Sequence, residues 1–187
     1  MFFLPQTIIA NLQGGGVGPG LELAMGADIR LAFKDNYFSF DHLKQALIPS
    51  GGGIGFSTEL IPNSFIRAWL LSPQPIDNQA LKASGFIHTF LNKDEEEKTL
   101  SEILTNISKQ APVARIQTKR SLLEAILPGL DRTIIFEKKF ALAGLAMNDW
   151  KKKINDSKKG ASQEFIKARD LSLLLKEETP SKKENLQ

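Results

Sequence analysis

Residues 14–23 read GGGVGPGLEL: five glycines fall within seven positions, and the apolar run that follows is interrupted by a lone carboxylate, Glu22. Glycine reaches backbone conformations closed to other residues and allows close approach to the main chain, but it loses the most freedom on folding. A cluster of this kind therefore reads as a tight strand-to-helix turn. A second glycine run, at Gly51, Gly52 and Gly53, marks another turn. Short apolar segments lie around these turns: TIIANL and DIRLAF are expected as strands, residues 21–26 as a short buried helix and residues 64–71 as another. The alternation predicts an α/β layer over residues 1–92.

Beyond residue 92 the punctuation stops and the spacing becomes helical. Leu100, Ile103, Leu104 and Ile107 share one helical face. Residues 116–126, 131–153 and 163–175 are expected as further helices, with Pro112, Pro128 and Gly160 separating them. The last stretch, KEETPSKKENLQ (176–187), is polar and charged enough to be expected as a disordered tail. With 187 residues and 42% hydrophobic content, the chain suffices for one ordinary core. The expected organisation is an α/β core at 1–92, a helical region at 93–175 and a tail at 176–187.

Composition removes several classes of function. There is no cysteine, which excludes disulfide scaffolds, thiolate nucleophiles and cysteine-bound zinc, and two histidines make a poor basis for a metal site. The amino terminus, MFFLPQTIIANLQGGG, has no basic region and carries Pro5 inside its apolar stretch, so it does not read as a signal peptide. No run approaches the length of a membrane span, and a cytoplasmic location is expected. Residues 1–149 hold 14 basic and 15 acidic side chains, against 10 and 6 in residues 150–187, so the net charge of +3 comes from residues 150–187. Lys151, Lys152, Lys153, Lys158 and Lys159 have few aromatic neighbours on which bases would stack. They read as a solvated helix face, not as a nucleic-acid site.

Glycines ahead of a helix also suit phosphate binding, because backbone N–H groups and the helix dipole favour an anion there. The phosphate signatures do not fit: Gly20 is followed by Leu21 and Glu22, not by Lys-Ser/Thr, and the helix expected after Gly16 and Gly18 is too short for a dinucleotide fold.

A longer pattern fits instead. The run IIANLQGGGVGPGLELAMGADIRLA resembles the segment that marks the crotonase superfamily of enoyl-CoA hydratases and isomerases, through Gln13, Gly14, Gly18, Gly20, Glu22, Leu23, Ala24, Asp28, Ile29 and Arg30. FSFDHLKQALIPSGGGIG is similar to the family's next stretch through Phe38, Ile48, Pro49, Gly52 and Gly53, and RAWLLSPQPIDNQALKASGFI to the helix and turn that follow. TKRSLLEA, with Asp156, Lys158, Gly160, Phe165 and Lys167, resembles the carboxy-terminal helices, the last with a one-residue offset.

The resemblance implies a spiral of ββα turns followed by helices that commonly build trimers or hexamers. It implies acyl-CoA thioesters as substrates or ligands, with no covalently bound cofactor and no metal. In this family two backbone N–H groups hold the thioester oxygen, one of them from the turn that matches Gly18, Pro19 and Gly20, while carboxylates move protons at adjacent carbons. Such donors act on charge that develops in the transition state, and losing one costs about 10² to 10³ in rate. Glu22 matches the family's first acid; as an alternative, it pairs structurally on a buried helix. Phe165 and Lys167 match positions that contact CoA from a neighbouring subunit.

Three departures bear on activity. Pro19 stands where the family's oxyanion donor is expected, and proline has no N–H; at the first helical position it is also sterically favourable. His42, after Asp41, replaces the family's second acid. Its unperturbed pKa near 6.5 suits either direction of proton transfer, and the alternative is a residue that only fills the pocket. His88 is assigned no chemistry. Finally, the family's first strands and the loop with the other oxyanion donor have no counterpart here, so an upstream continuation or a longer companion chain is expected to supply them. Two functions remain open: an acyl-CoA hydratase or isomerase using Glu22 and His42, and a crotonase-fold scaffold that assembles, or binds acyl-CoA, without turnover.

Overall fold

The computed structural model describes residues 3–72 and 76–159. Strand β1 (Ile9–Leu12) enters the first glycine turn, a short β2 (Gly16–Val17) follows, and helix α1 (Pro19–Met25) starts immediately with proline at its first turn. The chain then repeats the movement. Strand β3 (Ile29–Phe33) lies parallel to β1, and β4 (Phe38–Ser39) lies parallel to β2. After a 3-10 turn at Leu43–Gln45 come helices α2 (Gly53–Leu60), α3 (Asn63–Leu71) and α4 (Asn78–Ala83), and strand β5 (Thr89–Leu91) adds to the other side of β3. Each of the first two passes of the chain thus contributes to the three-stranded sheet β1-β3-β5, then to the two-stranded sheet β2-β4, then to a helix, and the third adds β5 alone before the helices that follow. This is the mixed α/β spiral of ββα turns that the sequence implied.

Strand β3 is buried on both faces, as expected for a central parallel strand. Leu31 and Phe33 point with Leu91 toward Leu100 and Ile103, whereas Ala32 joins Leu21, Met25, Phe38, Phe40 and Trp69 on the opposite side. The larger cluster is organised around Trp69, whose ring stands edge-on to Phe40 at 4.9 Å and to Phe86 at 5.6 Å. Edge-to-face pairs at such distances add about 0.5–1.5 kcal/mol beyond their burial. Arg30 is buried beside this cluster, its guanidinium donating to the carbonyls of Phe86 and Ala27. The backbone N–H of Arg30 donates to His88 Nδ1 at 3.1 Å and its carbonyl accepts from His88 N–H, so His88 ties the start of β3 to the start of β5.

Three helices follow: α5 (Glu96–Ser108), α6 (Pro112–Ala146) and α7 (Asp149–Lys159). Here the structure corrects the sequence expectation. Pro128 does not separate two helices, because α6 runs through it for 35 residues. A proline inside a helix costs about 3 kcal/mol locally, but the residues just after it are anchored: Leu130 is buried, and Gly55 of α2 leaves it no room for a Cβ, which would sit 2.9 Å from Leu130 Cδ1. The expected helix 131–153 is instead interrupted at Met147 and Asn148, where Asn148 takes φ 62°. Asparagine is among the few residues that adopt this left-handed conformation and end helices with it. Helix α2 also departs from expectation, since GGGIGF was read as a turn. The expected helix at 163–175, the tail at 176–187, and Phe165 and Lys167 lie outside the described residues. Among the described residues no helix is long and apolar enough to cross a membrane.

Candidate active site

Gly18 begins the site. Its φ of 52° turns the chain sharply from β2 into α1, a conformation that favours glycine. Its N–H donates to Ser39 O at 3.0 Å, extending the β2–β4 pairing, while its carbonyl accepts from Leu21 and Glu22 N–H. Pro19 occupies the first turn of α1 and has no N–H to offer. Of the three residues expected to bind a thioester oxygen, Gly20, exposed and with open space around its Cβ position, is therefore the one whose N–H is neither missing nor engaged across the β2–β4 pairing. The turn thus holds one candidate oxyanion donor.

Helix α1 buries Glu22, which is 6% exposed. Glu22 Oε1 accepts from Gly51 N–H at 3.1 Å and Gly53 N–H at 3.2 Å, and Oε2 lies 3.3 Å from His42 Nε2. The structure therefore brings together the two side chains that the sequence paired, twenty positions apart in the chain. Burial by itself pushes the Glu22 carboxyl up, but the His42 imidazole and the Gly51 and Gly53 N–H groups outweigh it and hold the pKa below the ordinary carboxylate value. Glu22 is thus a carboxylate at neutral pH with one oxygen held by the backbone. His42 is also 6% exposed, and neither ring nitrogen has an aligned hydrogen-bond partner, the 3.3 Å contact with Glu22 being electrostatic. A buried imidazole without such partners is unusual, which makes His42 a candidate site residue. Asp41 turns away from it toward the Ser39 hydroxyl and Lys44.

Glu22 and His42 line a cavity of about 270 Å³ with Pro19 and Ile48, closed on its far side by Phe140 and Leu145 of α6. A larger cleft of about 680 Å³ lies between Asp28 and the first half of α6 and contains neither of the two. The smaller one holds both candidate proton-transfer residues.

One member of the site was not read from the sequence. Glu137, in the middle of α6, is 2% exposed and accepts from Gly52 N–H at 2.8 Å and Gly55 N–H at 2.6 Å. The start of α2 has no cap from its own Gly52 side, and the N–H groups left orphaned at a helix start require partners. Two distant carboxylates supply them. Glu137 is pushed above the ordinary value by burial, which outweighs its backbone hydrogen bonds. The signal in the sequence was its spacing: Leu130, Ile134, Glu137 and Ala141 fall on one helical stripe, with a carboxylate where an apolar residue belongs.

With this geometry in view, comparison with known proteins is informative. The family model described as enoyl-CoA hydratase/isomerase matches residues 1–163. The chain belongs to the enoyl-CoA hydratase/isomerase family. It is 36% identical over 93 residues to the mouse (Mus musculus) protein named methylglutaconyl-CoA hydratase, mitochondrial, a match covering 50% of this chain and 30% of the relative. It is 25% identical over 134 residues to the short-chain-enoyl-CoA hydratase of Clostridium acetobutylicum, covering 72% of this chain and 51% of the relative. The chain thus spans about half the length of such relatives or less. The crystal structure of an enoyl-CoA hydratase from Mycobacterium avium subsp. paratuberculosis superposes with a TM-score of 0.80 at 22% identity, covering 88% of this chain and 67% of that one. That likeness bears on the fold.

Proposed function

We propose that this chain binds enoyl-CoA thioesters and moves protons at the carbons next to the thioester, with hydration or double-bond isomerisation as the reaction. The observation that carries this reading is the Glu22 carboxylate, tethered through Oε1 by two backbone N–H groups and facing His42 at 3.3 Å on the wall of a partly open cavity. Glu22 takes a proton from water or from a substrate carbon, because its pKa is held low and its second oxygen is not bound by the backbone. His42 is the partner that gives or accepts the other proton. Gly20 N–H supports the thioester oxygen. With the Gly18 N–H engaged by Ser39 and Pro19 lacking one, Gly20 is the single donor by which this turn stabilises the enolate.

A different observation favours a second reading, a crotonase-fold scaffold that assembles with another copy or a longer homologue and binds acyl-CoA without turnover. The exposed apolar residues of α6, Ile135 and Leu142 at 64% and 69%, suit such assembly. Calorimetric titration with crotonyl-CoA, with loss of enone absorbance followed in the same sample, separates the two. Binding with turnover that disappears in Glu22→Gln supports the enzyme. Binding without turnover supports the scaffold, and neither in a folded sample removes both.

A further inference from the structure

The short segment from residue 51 to residue 55 directs its backbone donors at two different carboxylates. Gly51 and Gly53 donate to Glu22 of α1, and Gly52 and Gly55 donate to Glu137 of α6, which lies 85 and 82 positions away in the chain. Successive N–H groups thus point alternately to the two sides. Close contacts hold this arrangement. Gly52 takes φ 95°, a Cβ on Gly53 would collide with the Glu22 carboxylate, and a Cβ on Gly55 would sit 2.9 Å from Leu130 of α6. The nucleotide-like look of a glycine run before a helix is therefore misleading here, because the helix start already carries its anions.

We propose that Glu137 is a positioning residue: it anchors the glycine turn from the far side, so that the Gly51 and Gly53 N–H groups stay aimed at Glu22. Glu137 lines no part of the Glu22–His42 cavity and acts only through the backbone. Its carboxylate is the tether between α6 and the segment that tunes the base. The titratable groups facing this arrangement are Glu22 from α1, His42 ahead of the 3-10 turn and Glu137 itself. The proposal rests on Glu22 as the proton-transfer group, but the geometry it describes is measurable without turnover.

The direction of one shift tests it. Removing a neighbouring negative charge alone lowers the Glu22 pKa or leaves it in place, whereas losing backbone donors raises it. The experiment is a carboxyl-carbon NMR titration of Glu22 in the full chain and in Glu137→Gln, with the amide signals of Gly51 and Gly53 followed alongside. The expected result is a Glu22 midpoint higher by about one pH unit, with both glycine amides displaced and the cooperative melt retained. Where crotonyl-CoA is hydrated, the acid limb of the rate profile moves in the same direction. An unchanged or lowered midpoint overturns the proposal. If Glu137→Gln does not fold, Glu137→Asp, shorter by one methylene, is read by the same criteria. Absence of hydration in the parent chain counts against the proton-transfer reading, while the titration still decides the positioning role.

Discussion

The two glycine turns look alike in sequence and do different work. In the first, Gly16 and Gly18 direct their N–H groups at backbone carbonyls, Tyr37 O and Ser39 O, and Gly15 at φ 80° leaves space for the Tyr37 backbone. Those glycines build shape. In the second, N–H groups from Gly51 to Gly55 point at the carboxylates of Glu22 and Glu137. These glycines hold charge. The lesson is that a glycine cluster reports close approach, and only the third dimension says what approaches.

The sharpest way to break the comparison is to fill the two turns in parallel. Gly53→Ala drives a methyl into the Glu22 carboxylate; we expect a loss of about 2–4 kcal/mol in urea unfolding, with crotonyl-CoA turnover abolished. Gly20→Ala, at an exposed helical position with open space around it, should leave stability equal or raise it by up to about 1 kcal/mol. Equal losses at both positions would erase the distinction drawn here.

Next in size is Pro19→Ala, which adds an N–H to the first turn without touching the second. Steady-state hydration of crotonyl-CoA should rise by roughly 10² if that donor reaches the thioester oxygen. No gain, in a variant that binds as tightly as the parent, would show that an N–H at position 19 does not reach the thioester oxygen and leave Gly20 as the donor of this turn.

Smaller and more gradual is the pH dependence of stability, which belongs to the second turn alone. Glu22 has a folded pKa below its ordinary value of 4.5, so its contribution is present above about pH 4.5 and is lost as pH falls through the folded value. Glu137 has a folded pKa above 4.5, so its contribution is full below that pH and declines as pH rises through the folded value. Urea midpoints across pH should show Glu22→Gln flattening the acid side and Glu137→Gln flattening the decline above it. Identical pH curves for the two variants would show that the carboxylates do not differ as described.

Much of this was legible because it is local. TIIANL and DIRLAF became β1 and β3, the short helix after the glycines became α1, and residues 64–71 lie within α3. Glu22 and His42 were paired from their places in two separate motifs, and they meet at 3.3 Å. What was missed involves partners far apart in the chain. GGGIGF has poor helix propensity, yet α2 starts there because carboxylates from α1 and α6 cap it. Pro128 is a helix breaker by its own chemistry, and the packing of Leu130 against α2 overrides it.

By itself, then, the amino-acid sequence determined the ββα repetition, the sharp turn at Gly18, the missing donor at Pro19 and the identity of the two side chains at the site. The turn and the missing N–H follow from the stereochemistry of glycine and proline, whereas the ββα repetition and the pairing of Glu22 with His42 were implied by the resemblance to the crotonase superfamily. Tertiary structure alone decided that Gly18's N–H is engaged by Ser39, that α6 is continuous, and that Glu137 shares a helix start with Glu22. The physical reason is that a hydrogen bond needs only distance and direction, and neither is encoded in the residues between its ends.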